Sequence, residues 1–109
     1  MQAQYADLAE NYVSDKPYEP GTVMMFGGDA EVTECRGFIN PKVAGVVSTN
    51  PAYLMNSTTD GVAIALKGRI PCKVEGAVNK GDLLVSSATP GVATAVSYTH
   101  LTLPTTDRV

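Results

Sequence analysis

The stretch VAGVVST, residues 43–49, is apolar at almost every position and rich in β-branched side chains. A second run of the same kind, VAIALKG, covers residues 62–68. Short runs of valine and isoleucine between turn residues favour β-strands over helices. Because apolar side chains fall on both faces of such a strand, we expect both runs to be covered on two sides.

Five further strands are predicted between clusters of turn residues, at 22–26, 31–35, 70–74, 82–86 and 92–95. Short strands at this spacing, with no long helical pattern between them, predict an all-β fold, either a small barrel or a sandwich. Pro71 cannot donate a ladder hydrogen bond, so it indicates a sheet edge or a bulge. Gly45 and Gly68 indicate bends within or beside strands.

One short helical turn is predicted at the N-terminus, in YADLAENY, residues 5–12. On a helical turn, Asp7 and Glu10 would share one face. This spacing has two interpretations. In the first, Asp7 caps the turn and Glu10 lies favourably against the helix dipole. In the second, the two carboxylates perform acid–base chemistry.

Length and charge restrict the class of protein. The 109 residues have room for one domain, and a core this small can require partner subunits for completion. The net charge is -3, and eight Lys and Arg residues are scattered singly, so neither nucleic acid nor an anionic membrane is a predicted partner. No apolar run approaches the roughly 20 residues of a membrane-spanning helix, and no secretion signal is found, so we expect a soluble protein.

Metal and cofactor motifs are weak. Cys35 and Cys72 lack zinc-site spacing and are predicted to be buried free thiols, with a disulfide between them as the less favoured alternative. The segment FGGDAE, residues 26–31, lacks the ending of a phosphate-binding loop and predicts a hairpin turn, while NKGD predicts a turn with Gly81 at positive φ. The remaining candidate cation ligands do not have the spacing of a calcium loop and are predicted to be solvated acids: Asp29, Glu31, Glu34 and Asp60. Neither a metal nor a cofactor is predicted.

The C-terminal stretch VSYTHLTLPTTDRV differs in character from the rest of the chain. Residues 96–105 resemble the translation of a common transposon-based sequencing adapter. On this resemblance, residues 96–109 are expected to be an artefactual tail, and residues 1–95 a single domain truncated at its C-terminus. His100, the only histidine, lies in the tail, so residues 1–95 cannot assemble a Ser-His-Asp or Cys-His system.

Four segments together resemble a known family: ADLAENY, EPGTVMMFGGDAEVT, VAGVVSTNPAYLMN and GRIPCKVEGAVNKGDLLVSS. They are similar to a domain of bacteriophage tail-fibre and neck-appendage proteins of the peptidase G2 type. That type is an intramolecular chaperone that cuts itself from the fibre after trimerisation. The resemblance implies a structural domain of a virion tail or appendage, made in the cytoplasm of a host bacterium. It also implies a homotrimer that contacts other virion tail proteins.

The same resemblance implies a site for self-cleavage. The family motif D-x-A-E matches Asp7, Leu8, Ala9 and Glu10. The resemblance implies that the scissile bond is Ala6–Asp7. It also implies that Glu10 is the catalytic carboxylate, which acts on the Ala6 carbonyl or on the attacking water. The resemblance thus leaves a structural domain and a self-cleaving peptidase as competing functions.

A third prediction is an adhesin module that binds a surface glycan. Tyrosine rings offer flat apolar faces on which sugars can stack. The candidate platforms are Tyr5, Tyr12, Tyr18 and Tyr53.

Overall fold

The computed structural model describes residues 7–49, 51–68 and 70–96. Nine strands and no helix occur in these ranges, which confirms the all-β prediction. The strands are β1 (Asp7–Tyr12), β2 (Val23–Phe26), β3 (Val32–Glu34), β4 (Val43–Val47), β5 (Tyr53–Met55), β6 (Val62–Gly68), β7 (Val74–Glu75), β8 (Leu84–Ser86) and β9 (Ala93–Ala95). No helix among the described residues has the length and apolar character needed to cross a membrane.

The predicted helical turn at the N-terminus is wrong, because Asp7–Tyr12 is strand β1. This strand pairs antiparallel with β6 and parallel with β5. An isolated turn of this length gains little from helical hydrogen bonds, whereas in the sheet β6 pairs with all six residues of the segment and β5 pairs with three of them. Tyr5 and Ala6, which the prediction included, lie outside the described residues.

The larger sheet has the order β3-β2-β4-β6-β1-β5 and curls until it meets itself. Ser14, just after β1, forms a parallel bridge with Val32 of β3. The carbonyl oxygen of Val13 accepts hydrogen bonds from the N–H groups of Glu31 at 3.0 Å and Val32 at 3.1 Å. Five strands therefore form a small barrel, and β5 extends beyond the closure.

Two irregularities bend the strands of the barrel. The β2–β4 register shifts between Met24 and Met25, and the β1–β6 register shifts between Leu8 and Ala9. At the first shift Gly45 has a φ of 153°, and a Cβ there would lie 2.8 Å from Cγ2 of Ile64. Bulges increase the local twist, so Gly45 provides the bend that the sequence predicted.

The barrel interior holds one of two apolar clusters. Met24, Val32, Val47 and Ile64 are buried together, and Val62 and Tyr12 pack against them. The ladder pairs Val47 with Ile64 and Tyr12 with Val62, which places these side chains on the same sheet face. Burying each large aliphatic side chain stabilises the fold by about 1.5–3 kcal/mol.

A second sheet, of order β7-β9-β8, packs on the outer face of the barrel. Its contact is the second apolar cluster, in which Val23, Cys35 and Ala93 are buried. Backbone hydrogen bonds join the layers, including one from Val23 N–H to the Gly91 carbonyl at 2.9 Å. The chain is thus a small barrel with a three-stranded sheet on one side.

The other strand predictions had mixed outcomes. All seven predicted strands overlap observed ones, but the strand predicted at 70–74 does so only at Val74, where β7 begins. Pro71 explains the delay because it has no N–H group to donate. Strand β5 was not predicted. The expectation that 43–49 and 62–68 are covered on both sides is also wrong, because Val43 and Leu66 are each 40% exposed.

Two predicted turns are confirmed, and the C-terminal boundary stays a prediction. FGGDAE joins β2 to β3, with the Gly27 N–H donating to the Glu31 carbonyl at 3.0 Å. Gly81 in NKGD has a φ of 92°. Val96, the first residue of the predicted tail, donates its N–H to the Leu83 carbonyl at 3.1 Å. His100 and the rest of the tail lie outside the described residues.

Candidate functional site

Asp7 is a buried carboxylate without a hydrogen-bond partner. Its side chain is 3% exposed, and neither Oδ1 nor Oδ2 has a hydrogen-bond donor within reach. In β1 it lies on the same face as Ala9, which is fully buried. Buried polar groups are nearly always paired, so this carboxylate is the most unusual polar group in the described part of the chain.

Glu10 is half-buried on the opposite face of β1. Its Oε1 accepts a hydrogen bond from the Tyr12 hydroxyl at 3.3 Å. Burial raises the pKa of Tyr12, and the nearby carboxylates of Glu10 and Glu31 raise it further. The Tyr12 ring meets Phe26 edge-to-face at 5.5 Å between centroids. Glu10 is therefore the hydrogen-bond acceptor of a tyrosine that packs against the barrel core.

The structure does not bring Asp7 and Glu10 together. With no helix present, the capping interpretation of Asp7 is wrong, and so is the shared helical face. Three residues of extended strand span about 10 Å, and alternate side chains point to opposite faces. The Ala6–Asp7 bond begins at a residue outside the described ranges. The assignment of Asp7 and Glu10 as a site for self-cleavage stays a prediction.

Three of the four tyrosines predicted as glycan platforms lie within the described residues. Tyr12 and Tyr18 are half-buried against the barrel core. The Tyr18 hydroxyl donates to Oδ1 of Asp15 at 2.9 Å. Tyr53 is 74% exposed, so its ring is free for stacking. Glycan binding stays a prediction, and a glycan array with the Tyr53→Ala variant as control tests it.

Both cysteines are free thiols, as predicted, but only Cys35 is buried, whereas Cys72 is partly exposed. Burial raises the pKa of Cys35, although a hydrogen bond from Ser86 acts to lower it, and burial likewise raises the pKa of Cys72. Both thiols are therefore weak nucleophiles at neutral pH. No group of three or more His, Cys, Asp or Glu side chains that could hold a metal ion occurs in the described ranges.

A large cleft lies between the barrel and the second sheet, and sequence reasoning missed it. Its volume is about 570 Å³. Most of its wall is apolar and comes from β4, β6, β8 and the segment before β4, including Ile39, Val43, Val46, Leu66 and Leu84. We call this feature the intersheet cleft. In the sequence, only the uninterrupted apolar runs of β4 and β6 indicated this cleft. We interpreted those runs as strands covered on both faces.

Comparisons with known proteins returned no match from family models, curated proteins or solved structures.

Proposed function

We propose that this chain is a structural domain of a bacteriophage tail fibre or related virion appendage, and that it assembles as a homotrimer. The observation that carries the proposal is the intersheet cleft, whose apolar wall is open in a single chain. The resemblance of four sequence segments to phage appendage domains supplies the class of assembly. The cleft supplies the physical reason for assembly.

In an isolated chain the intersheet cleft leaves apolar side chains exposed to water, which is unfavourable in free energy. Val43 and Leu66 lie on its wall at 40% exposure each, and Ile39 is also exposed beside them. Contiguous exposed apolar surface in a folded protein marks a site of protein association more often than a free surface. Covering apolar area contributes about 25 cal/mol per Å², so packing a neighbouring subunit onto this wall favours assembly.

Light scattering coupled to size-exclusion chromatography tests the assembly. The full chain should elute with three times the monomer mass, and Leu66→Lys should lower that mass by placing a charge on the cleft wall. Phe38→Lys is the matched control, because Phe38 is an exposed apolar residue that does not line the cleft. A wild-type protein that is monomeric at every concentration contradicts the proposal.

A second experiment tests the virion assignment. Phage particles purified from the source culture should contain the tryptic peptide spanning residues 43–67, detected by mass spectrometry. Recovery of this peptide only from particle-free fractions contradicts the assignment.

A second candidate function is self-cleavage before Asp7, and one observation favours it. Asp7 is buried and its carboxylate has no partner, an arrangement that costs stability. Buried polar groups without a partner are rare in native structures, and a catalytic role is one reason for which they are retained. Glu10 of the same chain faces away from Asp7, so this function requires either a neighbouring copy or a different conformation of residues 7–10 to supply the carboxylate.

A further inference from the structure

Two polar side chains on the wall of the intersheet cleft, Ser86 and Asn40, form their hydrogen bonds inside the protein. The Ser86 hydroxyl donates to the Gly37 carbonyl at 2.7 Å and accepts from the Asn40 N–H at 2.7 Å. The Asn40 side-chain oxygen accepts from the Lys42 N–H at 2.8 Å. The wall therefore offers a guest mainly apolar surface. Small-molecule sites are clefts of this size, about 570 Å³, with mostly apolar walls and few polar groups.

Ile39 is held on the cleft wall in a strained backbone conformation. Its φ is 53°, in the left-handed region, which is unfavourable for a β-branched residue. The Ile39 N–H donates to the Ser86 carbonyl at 3.0 Å, and with the Asn40 hydrogen bond it fixes this conformation against β8. Strained residues cluster at functional sites, including those that hold ligands. The strain indicates that the shape of this wall serves a function.

Basic residues outnumber acidic ones on the elements that form the cleft, although the chain carries a net charge of -3. Among the described residues that line the cleft, Lys67 alone is charged. The segment 36–47 contains two basic residues and no acidic one, and β6 and β8 contain no acidic residue. The only ion pair in the described ranges joins Lys73 to Glu19, so Lys67 has no carboxylate partner there. A cleft with charge of one sign favours a ligand of the opposite sign.

We propose that the intersheet cleft binds a fatty acid, with the alkyl chain against the apolar wall and the carboxylate at the Lys67 ammonium. An alkyl chain needs no hydrogen bonds, which suits a wall whose polar groups are already paired. The carboxylate supplies the negative charge that Lys67 lacks. The inference goes beyond the proposed assembly and does not depend on it, because the cleft lies within one chain. The exposed rim at Val43 and Leu66 stays available to a neighbouring subunit.

Isothermal titration calorimetry with decanoate and decanol tests the role of Lys67. The two probes share one alkyl chain and differ in charge. Lys67→Met should raise the dissociation constant of decanoate about fivefold, because an exposed ion pair contributes modestly, and that of decanol by less than about twofold. Lys80→Met is the matched control, since Lys80 is an exposed lysine that does not line the cleft, and it should change neither constant.

Alkylation of the cysteines locates the bound chain without any substitution. Cys72 lines the cleft, whereas Cys35 is buried and does not line it. Decanoate at about ten times its dissociation constant should slow the reaction of Cys72 with iodoacetamide about tenfold, because about a tenth of the sites stay free. The rate at Cys35 should not change, and a faster rate there would reveal unfolding by the probe. Mass spectrometry of the tryptic peptides reads both sites.

The outcomes separate this inference from the proposed assembly, because light scattering of each titrated sample records its oligomeric state. A trimer that does not bind decanoate contradicts the fatty-acid site and leaves the proposed function standing. A monomer that binds decanoate with protection of Cys72 supports the site and contradicts the trimer. Equal effects of Lys67→Met on decanoate and decanol contradict the carboxylate contact. An unchanged Cys72 rate at saturating decanoate contradicts binding in the cleft.

Discussion

Asp7 and Glu10 lie on opposite faces of strand β1, one beside fully buried Ala9 and the other hydrogen-bonded to the Tyr12 hydroxyl. The three-residue spacing that on a helix would join them therefore separates them here. A reaction that uses both carboxylates at one site therefore requires either a neighbouring copy or a different conformation of residues 7–10.

The first prediction concerns self-cleavage. A dilute, unassembled protein should keep its full mass, because Glu10 faces away from Asp7 on the same strand. The assembled protein should lose residues 1–6, and the Glu10→Gln variant should stay intact under the same conditions. Intact-mass measurement over time reads both results. An assembled wild-type trimer that keeps its full mass rules out this second candidate function.

The second prediction concerns the buried carboxylate of Asp7. Asp7→Ala should raise the free energy of unfolding by about 1–3 kcal/mol, because it removes a buried polar group that has no partner. Urea unfolding at neutral pH measures the change. Asp60→Ala, at an exposed aspartate, is the control and should change the value by less than about 0.5 kcal/mol. Equal effects of the two substitutions would show that burial of Asp7 carries no cost.

The third prediction concerns the bend at Gly45. Gly45→Ala should lower the free energy of unfolding by about 2–4 kcal/mol, because the new Cβ would meet the backbone of Ala65 and the side chain of Ile64. Gly37→Ala is the matched control, since Gly37 also has positive φ but has open space around it. Its cost should be only about 1 kcal/mol. If both variants unfold at the same urea concentration, close packing at Gly45 is not the cause.

The fourth prediction concerns the pH dependence of stability at Asp15. Desolvation acts to raise the pKa of Asp15, but hydrogen bonds from the Tyr18 and Thr33 hydroxyls outweigh it, so the pKa lies below its ordinary 3.8. A carboxyl with a lowered folded pKa stabilises the fold above 3.8, and this contribution is lost as pH falls through the folded pKa. Asp15→Asn should therefore be less stable than wild type at neutral pH.

That difference should shrink as the pH falls below 3.8. Thermal unfolding of both proteins across the acid range measures it, and Asp29→Asn, at an exposed turn position, serves as the control. A difference between wild type and Asp15→Asn that is constant at all pH values would show that the charge of Asp15 is not involved.

The fifth prediction concerns the two thiols. Both should react slowly with Ellman's reagent at neutral pH, because burial raises the pKa of each. Cys72 should react first, since it lines the intersheet cleft, whereas Cys35 is buried. Assembly should slow Cys72 further if a neighbour covers the cleft. A Cys72 rate that assembly leaves unchanged would place the subunit contact elsewhere.

Much of the fold was predictable because strand signals are local. The β-branched runs that became β4 and β6, and the glycine turns at Gly27 and Gly81, depend on side-chain shape and backbone freedom within a few residues. Strand β1 was not predictable in this way. The helical spacing of Asp7 and Glu10 favours a capped turn, and only pairing with β6 and β5, which are distant in sequence, makes the segment a strand. The sequence-based prediction also missed strand β5, because three residues are too few to show an alternating pattern.

The sequence by itself determined the all-β class, the bend at Gly45, the two turns and the exclusion of imidazole chemistry from residues 1–95. Only the tertiary structure decided that the larger sheet closes at Ser14 and Val32, that Asp7 is buried without a hydrogen-bond partner, that β5 is the last strand in the order of that sheet, and that apolar runs line a cleft. The physical reason is that turn and strand preferences belong to single residues and their neighbours. Closure, burial and strand order are set by strand pairings between residues far apart in the chain.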